Sequence, residues 1–236
     1  MPIQTKQDPN DKNKFLLEKQ VNFWSEYKKT KPDLTEIYQY TNRPVAVLGG
    51  GPSLPDDLKK LPSNTIFMAC NHHAFRLIKP DYMIFLDPPD QLQNPEFVAL
   101  CNDPQGAKRI SYANLDHTDY YTINEAKFHT KSDTGVFAIW VASFITSGKI
   151  YLCGFNLRNP AEPMHFYAKK HLTVEWGGVE MDKKIERFKA VRNGIERPER
   201  VEAVSGILQT VFTGEKSYEL LPEPIKSKFA TVTKQK

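Results

Sequence analysis

The chain has 236 residues, 40% of them apolar and 25% charged, the balance of an ordinary soluble globular protein and enough for one large α/β domain rather than two. No window approaches the roughly 20 continuous apolar residues that cross a bilayer, and the opening MPIQTKQDPNDKNK lacks the apolar stretch of a secretory signal, so no membrane partner is expected. Three cysteines (Cys70, Cys101, Cys153) form no CxxC pair and no metal spacing, which points to a reduced, cytoplasmic setting. The net charge of +4 lies mostly in the C-terminal third: residues 41–160 carry 11 basic and 11 acidic side chains, residues 161–236 carry 14 and 11. That suits a solvated basic face or an anionic ligand and falls short of a dedicated nucleic-acid binder.

In chain order, residues 1–14 are polar. Residues 15–29 repeat apolar side chains at Phe15, Leu16, Val21, Phe23, Trp24 and Tyr27, the spacing of an amphipathic helix. RPVAVLGGG reads as a strand stopped by glycines, SLPDDLKKLP as a helix of one to two turns, TIFMACN as a second strand, and HHAFRLIKP as a short helix closed by Pro80. DYMIFLDPPD reads as a third strand, TGVFAIWVASFITSG as a buried helix and KIYLCGFN as a fourth strand. Residues 180–193 read as an amphipathic helix, RVEAVSG as a last strand, and the segment from Gly214 as a polar tail. Strands of continuous apolarity separated by helices predict a Rossmann-like, doubly wound, mostly parallel α/β sheet covered on both faces. The expected organisation is an N-terminal helical extension over 1–40, one domain over 41–213 and a tail over 214–236.

In such a sheet, ligands bind beyond the carboxyl ends of the strands. Four predicted strand ends carry unusual residues: Gly49, Gly50, Gly51, Pro52 and Ser53; Asn71, His72 and His73; Asp87 and Asp90; Gly154 and Asn156. The glycines allow close backbone approach to a ligand, and Pro52 with Ser53 suits a helix start able to hold an anion; a plain glycine turn is the alternative. Neither GK[ST] nor GxGxxG is present. Asn71 is either a base or ribose ligand or a turn residue. His72 and His73 point opposite ways on an extended segment and read as a structural pair. Asp87 and Asp90 either hold a metal carrying phosphate or end a strand and cap a helix. Asp133 and Thr134 form an N-cap cluster, with Thr134 and Gly135 as phosphate donors at the positive end of the long helix. His165 and His171 lie on a polar segment after the fourth strand and are either surface histidines or general bases.

Taken in order, VAVLGGGPSL, MACNHH, KPDYMIFLDPPD, SDTGVFAIWVASF and KIYLCGFNL resemble one superfamily. Its branches are bacterial CMP-sialic-acid-dependent sialyltransferases and archaeal 6-hydroxymethylpterin pyrophosphokinase-like proteins. The sialyltransferase branch has G-N-G-P-S-L in its first loop, matched by Gly49, Gly51, Pro52 and Ser53, with Gly50 in place of the asparagine. Its Cys-Asn pair matches Cys70-Asn71, and its T-S-G phosphate segment resembles Asp133-Thr134-Gly135. The resemblance implies a nucleotide ligand at these positions, and a histidine base at His171 or His165. The pyrophosphokinase-like branch is matched by Asp87 and Gly154, with Asn156 in place of an aspartate.

The resulting expectation is a transferase that moves a sugar from a nucleotide-activated donor to a hydroxyl acceptor (small molecule, glycan or nucleic-acid base), with no cofactor required. The alternatives are an ATP-dependent pyrophosphokinase with Mg²⁺ at Asp87 and Asp90, and a non-catalytic nucleotide-binding protein on the same fold. The sequence does not specify an oligomeric state.

Overall fold

The computed structural model describes residues 41–87, 94–112, 117–121, 133–157, 165–167 and 178–213. The helix expected over 15–29 and the tail expected from Gly214 lie outside them. Seven strands form one sheet: β1 (Val45–Leu48), β2 (Ile66–Cys70), β3 (Tyr82–Phe85), β4 (Lys108–Ser111), β5 (Tyr120–Tyr121), β6 (Ile150–Cys153) and β7 (Val201–Ala203). Their order is β5-β4-β3-β2-β1-β6-β7, and every neighbouring pair is parallel. β1 is central. The chain winds outward from it through β2 to β5, then returns to lay β6 on its other side, so the switch point falls between β1 and β6.

The strands are apolar without alternation because both faces are buried. Val45 and Val47 join one core with Met68, Ile84, Ile150 and Leu152. That face is covered by helices α3 (Thr134–Ile145), α4 (Gly178–Gly194) and α5 (Ile207–Thr213). On the other face Ala46 and Leu48 pack with Leu54 of α1 (Leu54–Leu58) and Ala74 of a 3-10 turn (His73–Arg76). Met83 and Phe85 pack with Phe97 and Leu100 of α2 (Pro95–Asn102). Helix α3 is apolar almost all round, and eight of its twelve residues are buried; it is the central pillar of its face. It runs back along the sheet, which sets its N-terminus at the carboxyl edge of the strands.

The two edges of the sheet differ. At the amino edge Thr146 is fully buried and its hydroxyl donates to the carbonyls of Arg43 (2.6 Å) and Thr41 (3.0 Å). Arg200, also buried, donates its guanidinium to the carbonyls of Thr146, Gly148 and Glu196. The amino edge is thereby sealed, and the carboxyl edge holds a cleft.

Phe137 in α3 is 1% exposed. Phe137→Ala is expected to cost about 3–5 kcal/mol, read as a lower urea midpoint at unchanged slope. A cost below about 1 kcal/mol would contradict the packing assigned to α3.

Candidate functional site

The cleft has a volume of about 590 Å³ and is lined by the glycine turn, the ends of β2, β3 and β6, the start of α3, His165 and Lys184 of α4. The four strand ends singled out in the sequence therefore share one edge, joined by the N-terminus of α3.

The glycine turn is pressed against β6. The Gly49 amide donates to the Cys153 carbonyl (2.8 Å) and the Gly51 amide to the Gly154 carbonyl (2.9 Å). A Cβ at Gly49 would stand 2.5 Å from the Gly154 oxygen, and one at Gly51 would stand 2.4 Å from Asn156 Oδ1. These two glycines thus serve close approach to β6, a correction to the expectation that the approach is to a ligand. Gly50 differs. Its missing Cβ would fall 2.8 Å from both His165 Nδ1 and His73 Cγ, so two imidazoles occupy the space a side chain at this position would need.

Asp57 braces the turn, although the sequence reading gave it no role. It is 1% exposed, and its Oδ2 accepts from Ser53 Oγ (2.9 Å), Ser205 Oγ (2.8 Å) and the Gly154 amide (3.0 Å). Asn156 Oδ1 accepts from the Ser53 hydroxyl (2.9 Å) and amide (3.3 Å). Gly154 adopts φ +70 to offer its amide to Asp57, and a Cβ there would meet Leu54 Cβ at 2.9 Å. Ser53 is consequently turned toward Asp57 and Asn156 and does not line the cleft. Helix α1 is five residues long, and its first-turn amides are engaged with Gly51, Ser53 and Asn156 oxygens. The anion site expected at Pro52 and Ser53 is therefore consumed by internal bonds. Among the described residues the Gly50 amide of this turn has no acceptor.

At α3, Asp133 is the N-cap and accepts from the Val136 amide (3.1 Å). The Thr134 and Gly135 amides have no acceptor among the described residues and line the cleft. Lys184 approaches Asp133 to 3.7 Å and lines the same wall, so a cation stands beside the capping carboxylate. The sequence reading did not single out Lys184, because on an amphipathic helix it looks like any solvated lysine.

His72 and His73 do not diverge as the expectation of an extended segment required. The 3-10 turn puts both rings at the cleft, with centroids 4.1 Å apart. His73 stacks on His165 at 4.0 Å and shares a 2.8 Å hydrogen bond with the Tyr167 hydroxyl. Arg76 lies 3.9 Å over the Tyr167 ring and pairs with Glu96. The Phe166 amide donates to the Gly50 carbonyl (3.1 Å). Residues 165–167 are thus fastened to the glycine turn and to the His73–Arg76 turn together. Burial, then the neighbouring His165, His72 and Arg76, hold the His73 imidazole down to about 3. Burial also depresses His72.

Asn71 closes β2 at φ +57, a left-handed conformation that asparagine adopts more readily than other non-glycine residues, and its Oδ1 is buried with no partner among the described residues. Asp87 lines the cleft at the end of β3. Asp90 and His171 lie outside the described residues, and no group of three or more His, Cys, Asp or Glu side chains that could hold a metal occurs among those described. Asp87 is one carboxylate and Asp133 is committed to capping α3, so the described residues do not assemble a Mg²⁺ site. No described helix is long and apolar enough to cross a membrane.

No family model matches the chain, and no curated protein does. Among solved structures it is similar to the sialyltransferase CstII of Campylobacter jejuni in complex with cytidine-5'-monophosphate, at 16% identity and a TM-score of 0.45 over 69% of this chain and 79% of that one. It is also similar to an α-2,3-sialyltransferase of the same organism in apo form, at 18% identity and a TM-score of 0.42 over 70% and 79%. A third is CstII with CMP-3FNeuAc, at 15% and 0.44 over 69% and 81%.

Two predictions follow from the site. Asp57→Ala leaves three donors facing a void and is expected to cost about 3 kcal/mol or more, while Asp57→Asn, which keeps an acceptor, costs less; equal loss in urea titrations would contradict the hub. Second, unfolded His73 and His72 protonate near pH 6.5 and the folded ones only lower, toward about 3 for His73. Between those limits the unfolded chain binds more protons, so stability falls as pH is lowered. His73→Phe is expected to flatten that dependence, and an unchanged slope would show that the ring is not held neutral.

Proposed function

We propose that the chain is a glycosyltransferase-like transferase that holds a nucleotide-activated sugar in the switch-point cleft and passes the sugar to a hydroxyl acceptor, with His165 as general base. The observation that carries this reading is the composition of the cleft. Donors for an anion (the Gly50, Thr134 and Gly135 amides and Lys184) and two stacked imidazoles converge at the place where doubly wound sheets bind nucleotides.

In the step this arrangement supports, the bond between the sugar carbon and the phosphate oxygen breaks, with its electron pair leaving on the phosphate. The acceptor oxygen bonds to the sugar carbon, and its proton passes to His165. Preorganised amides at the positive end of α3, with Lys184, stabilise the charge that develops on the departing phosphate. His73, held neutral, offers His165 a stacked ring without a competing positive charge. The order of the motifs along the sequence supports the same reading.

The test is a thermal-shift panel of nucleoside mono-, di- and triphosphates with and without Mg²⁺, followed by donor turnover in His165→Ala. A nucleotide at about 100 times its dissociation constant adds roughly 2.7 kcal/mol of stability. The expected result is metal-independent stabilisation, retained in His165→Ala, with transfer reduced about 10²–10⁴-fold. Stabilisation by ATP only with Mg²⁺ would favour phosphotransfer. Binding with turnover unaffected by His165→Ala would remove that residue from the role of base. Nucleotide binding without transfer to any acceptor would favour a non-catalytic binding protein.

A further inference from the structure

One wall of the cleft, built by residues 73–76 and 165–167, holds a bonded chain that the reaction above uses only as a stacked ring. Arg76 lies 3.9 Å over the Tyr167 ring, and the Tyr167 hydroxyl meets His73 Nδ1 at 2.8 Å. The direction of that bond follows from the two groups. Burial raises Tyr167 above the ordinary phenol range, against the opposing pull of Arg76, so the hydroxyl keeps its proton. Its one hydrogen-bond partner among the described residues is His73. The phenolic oxygen shares its electrons with its ring and accepts poorly, whereas the bare nitrogen of a neutral imidazole accepts well. The hydroxyl therefore donates and Nδ1 accepts. A neutral imidazole carries one proton, so with Nδ1 accepting that proton stands on Nε2.

Resting on the nucleotide reading, we propose that His73 Nε2–H, set by Tyr167, donates a hydrogen bond to the anionic phosphate of the ligand and is a neutral catalytic donor beside His165. Its neighbours do not compete for that role. His72 Nδ1 and His165 Nδ1 are sealed from solvent, whereas Nε2 of the half-buried His73 is not, and it bonds to no described residue. His73 lines the cleft. Its place favours the anion over the acceptor hydroxyl. The Cγ–Cδ2 edge of the ring faces Gly50, whose missing Cβ would fall 2.8 Å from Cγ and 2.9 Å from Cδ2. Nε2 adjoins Cδ2 in the ring, so its N–H and the Gly50 amide, which has no acceptor, serve the same end of the cleft. His165 at 4.0 Å and His72 at 4.1 Å hold the ring's orientation. Burial, with His165, His72 and Arg76, keeps it uncharged, so it offers a donor and no base. Neutral imidazole suffices as an electrophile at developing charge, and a donor that is itself bonded from behind is polarised further. As the sugar carbon–phosphate oxygen bond breaks, charge grows on the phosphate and the bond from Nε2–H strengthens with it. No proton changes hands at His73, and Tyr167 is its positioning residue.

The experiment combines nitrogen–proton NMR correlation of the histidine rings with calorimetric titration of the full chain near neutral pH. The probes are the methyl esters of CMP, UMP, AMP and GMP, whose phosphodiester carries one fixed negative charge. The wild type is expected to show His73 as the Nε2–H tautomer, and a saturating probe is expected to shift that N–H. His73→Phe should weaken the probe about ten- to a hundredfold, the loss of one bond to a charged group. His73→Gln keeps an N–H near the place of Nε2 and should recover most of that loss; a ring that served packing alone would give the reverse order, with Phe the milder change. Tyr167→Phe keeps the ring contacts and carries the test if His73→Phe does not fold. It should leave His73 a mixture of tautomers and weaken the probe several-fold. A wild-type proton on Nδ1, a His73 N–H unmoved by bound probe, or affinities unchanged in the variants overturns the donor assignment and leaves the nucleotide reading intact. A wild type that binds none of the probes overturns both.

Discussion

The cleft depends on one buried carboxylate. Asp57 collects bonds from Ser53 after β1, Gly154 after β6 and Ser205 after β7, and so ties together three strand ends on both sides of the switch point. A carboxylate taken out of water is costly unless its bonds are charge-assisted and well aimed; this one receives three on Oδ2, while its buried Oδ1 accepts no hydrogen bond and has Lys60 Nζ at 3.6 Å. The demand propagates. Gly154 must turn to positive φ to present its amide, Gly49 and Gly51 must lack side chains for β1 to reach β6, and Ser53 and Asn156 become braces. With that corner fixed, the Gly50 carbonyl stands where Phe166 docks and the Gly50 Cα leaves room for His73 and His165.

Around this rigid corner the cleft gives up stability. A left-handed asparagine, the buried and unpartnered Asn71 Oδ1, His72 Nδ1 and Asp57 Oδ1, and imidazoles kept neutral by burial are all unfavourable, and all are at one edge of the sheet. The amino edge shows the opposite economy, with Thr146 and Arg200 buried and bonded to the carbonyls around them. An uneven distribution of this kind marks a surface shaped for a partner that the protein itself does not supply.

Much of the fold was legible because parallel strands buried on both faces must be apolar throughout, and VAVL, IFMAC, YMIF and IYLC are. β4 was not, since KRIS opens on two charged residues, an exposed Lys108 and an Arg109 that pairs with Asp119. Helix α2 went unread although Asn94-Pro95-Glu96 holds a capping signal: Asn94 Oδ1 accepts from the Glu96 and Phe97 amides. The presence of a glycine turn could be read from the sequence, but what each glycine approaches could not, because Gly154, Asn156 and His165 arrive from about 100 residues away. Asp57 was invisible for the same reason; locally it is one acid of a Pro-Asp-Asp run. The His72-His73 pair was misread from the assumption of extended backbone, and the 3-10 turn reverses that geometry.

The most direct measurement of the central claim, that this cleft is the ligand site, is an NMR titration of the labelled chain with the nucleotide that stabilises it, without metal. The account predicts that the amides of Gly50, Thr134 and Gly135 and the ring resonances of His72 and His165 shift together with one dissociation constant, while those around Thr146 and Arg200 stay still. Shifts confined to another face, with the resonances of the glycine turn and the start of α3 unmoved, would contradict it.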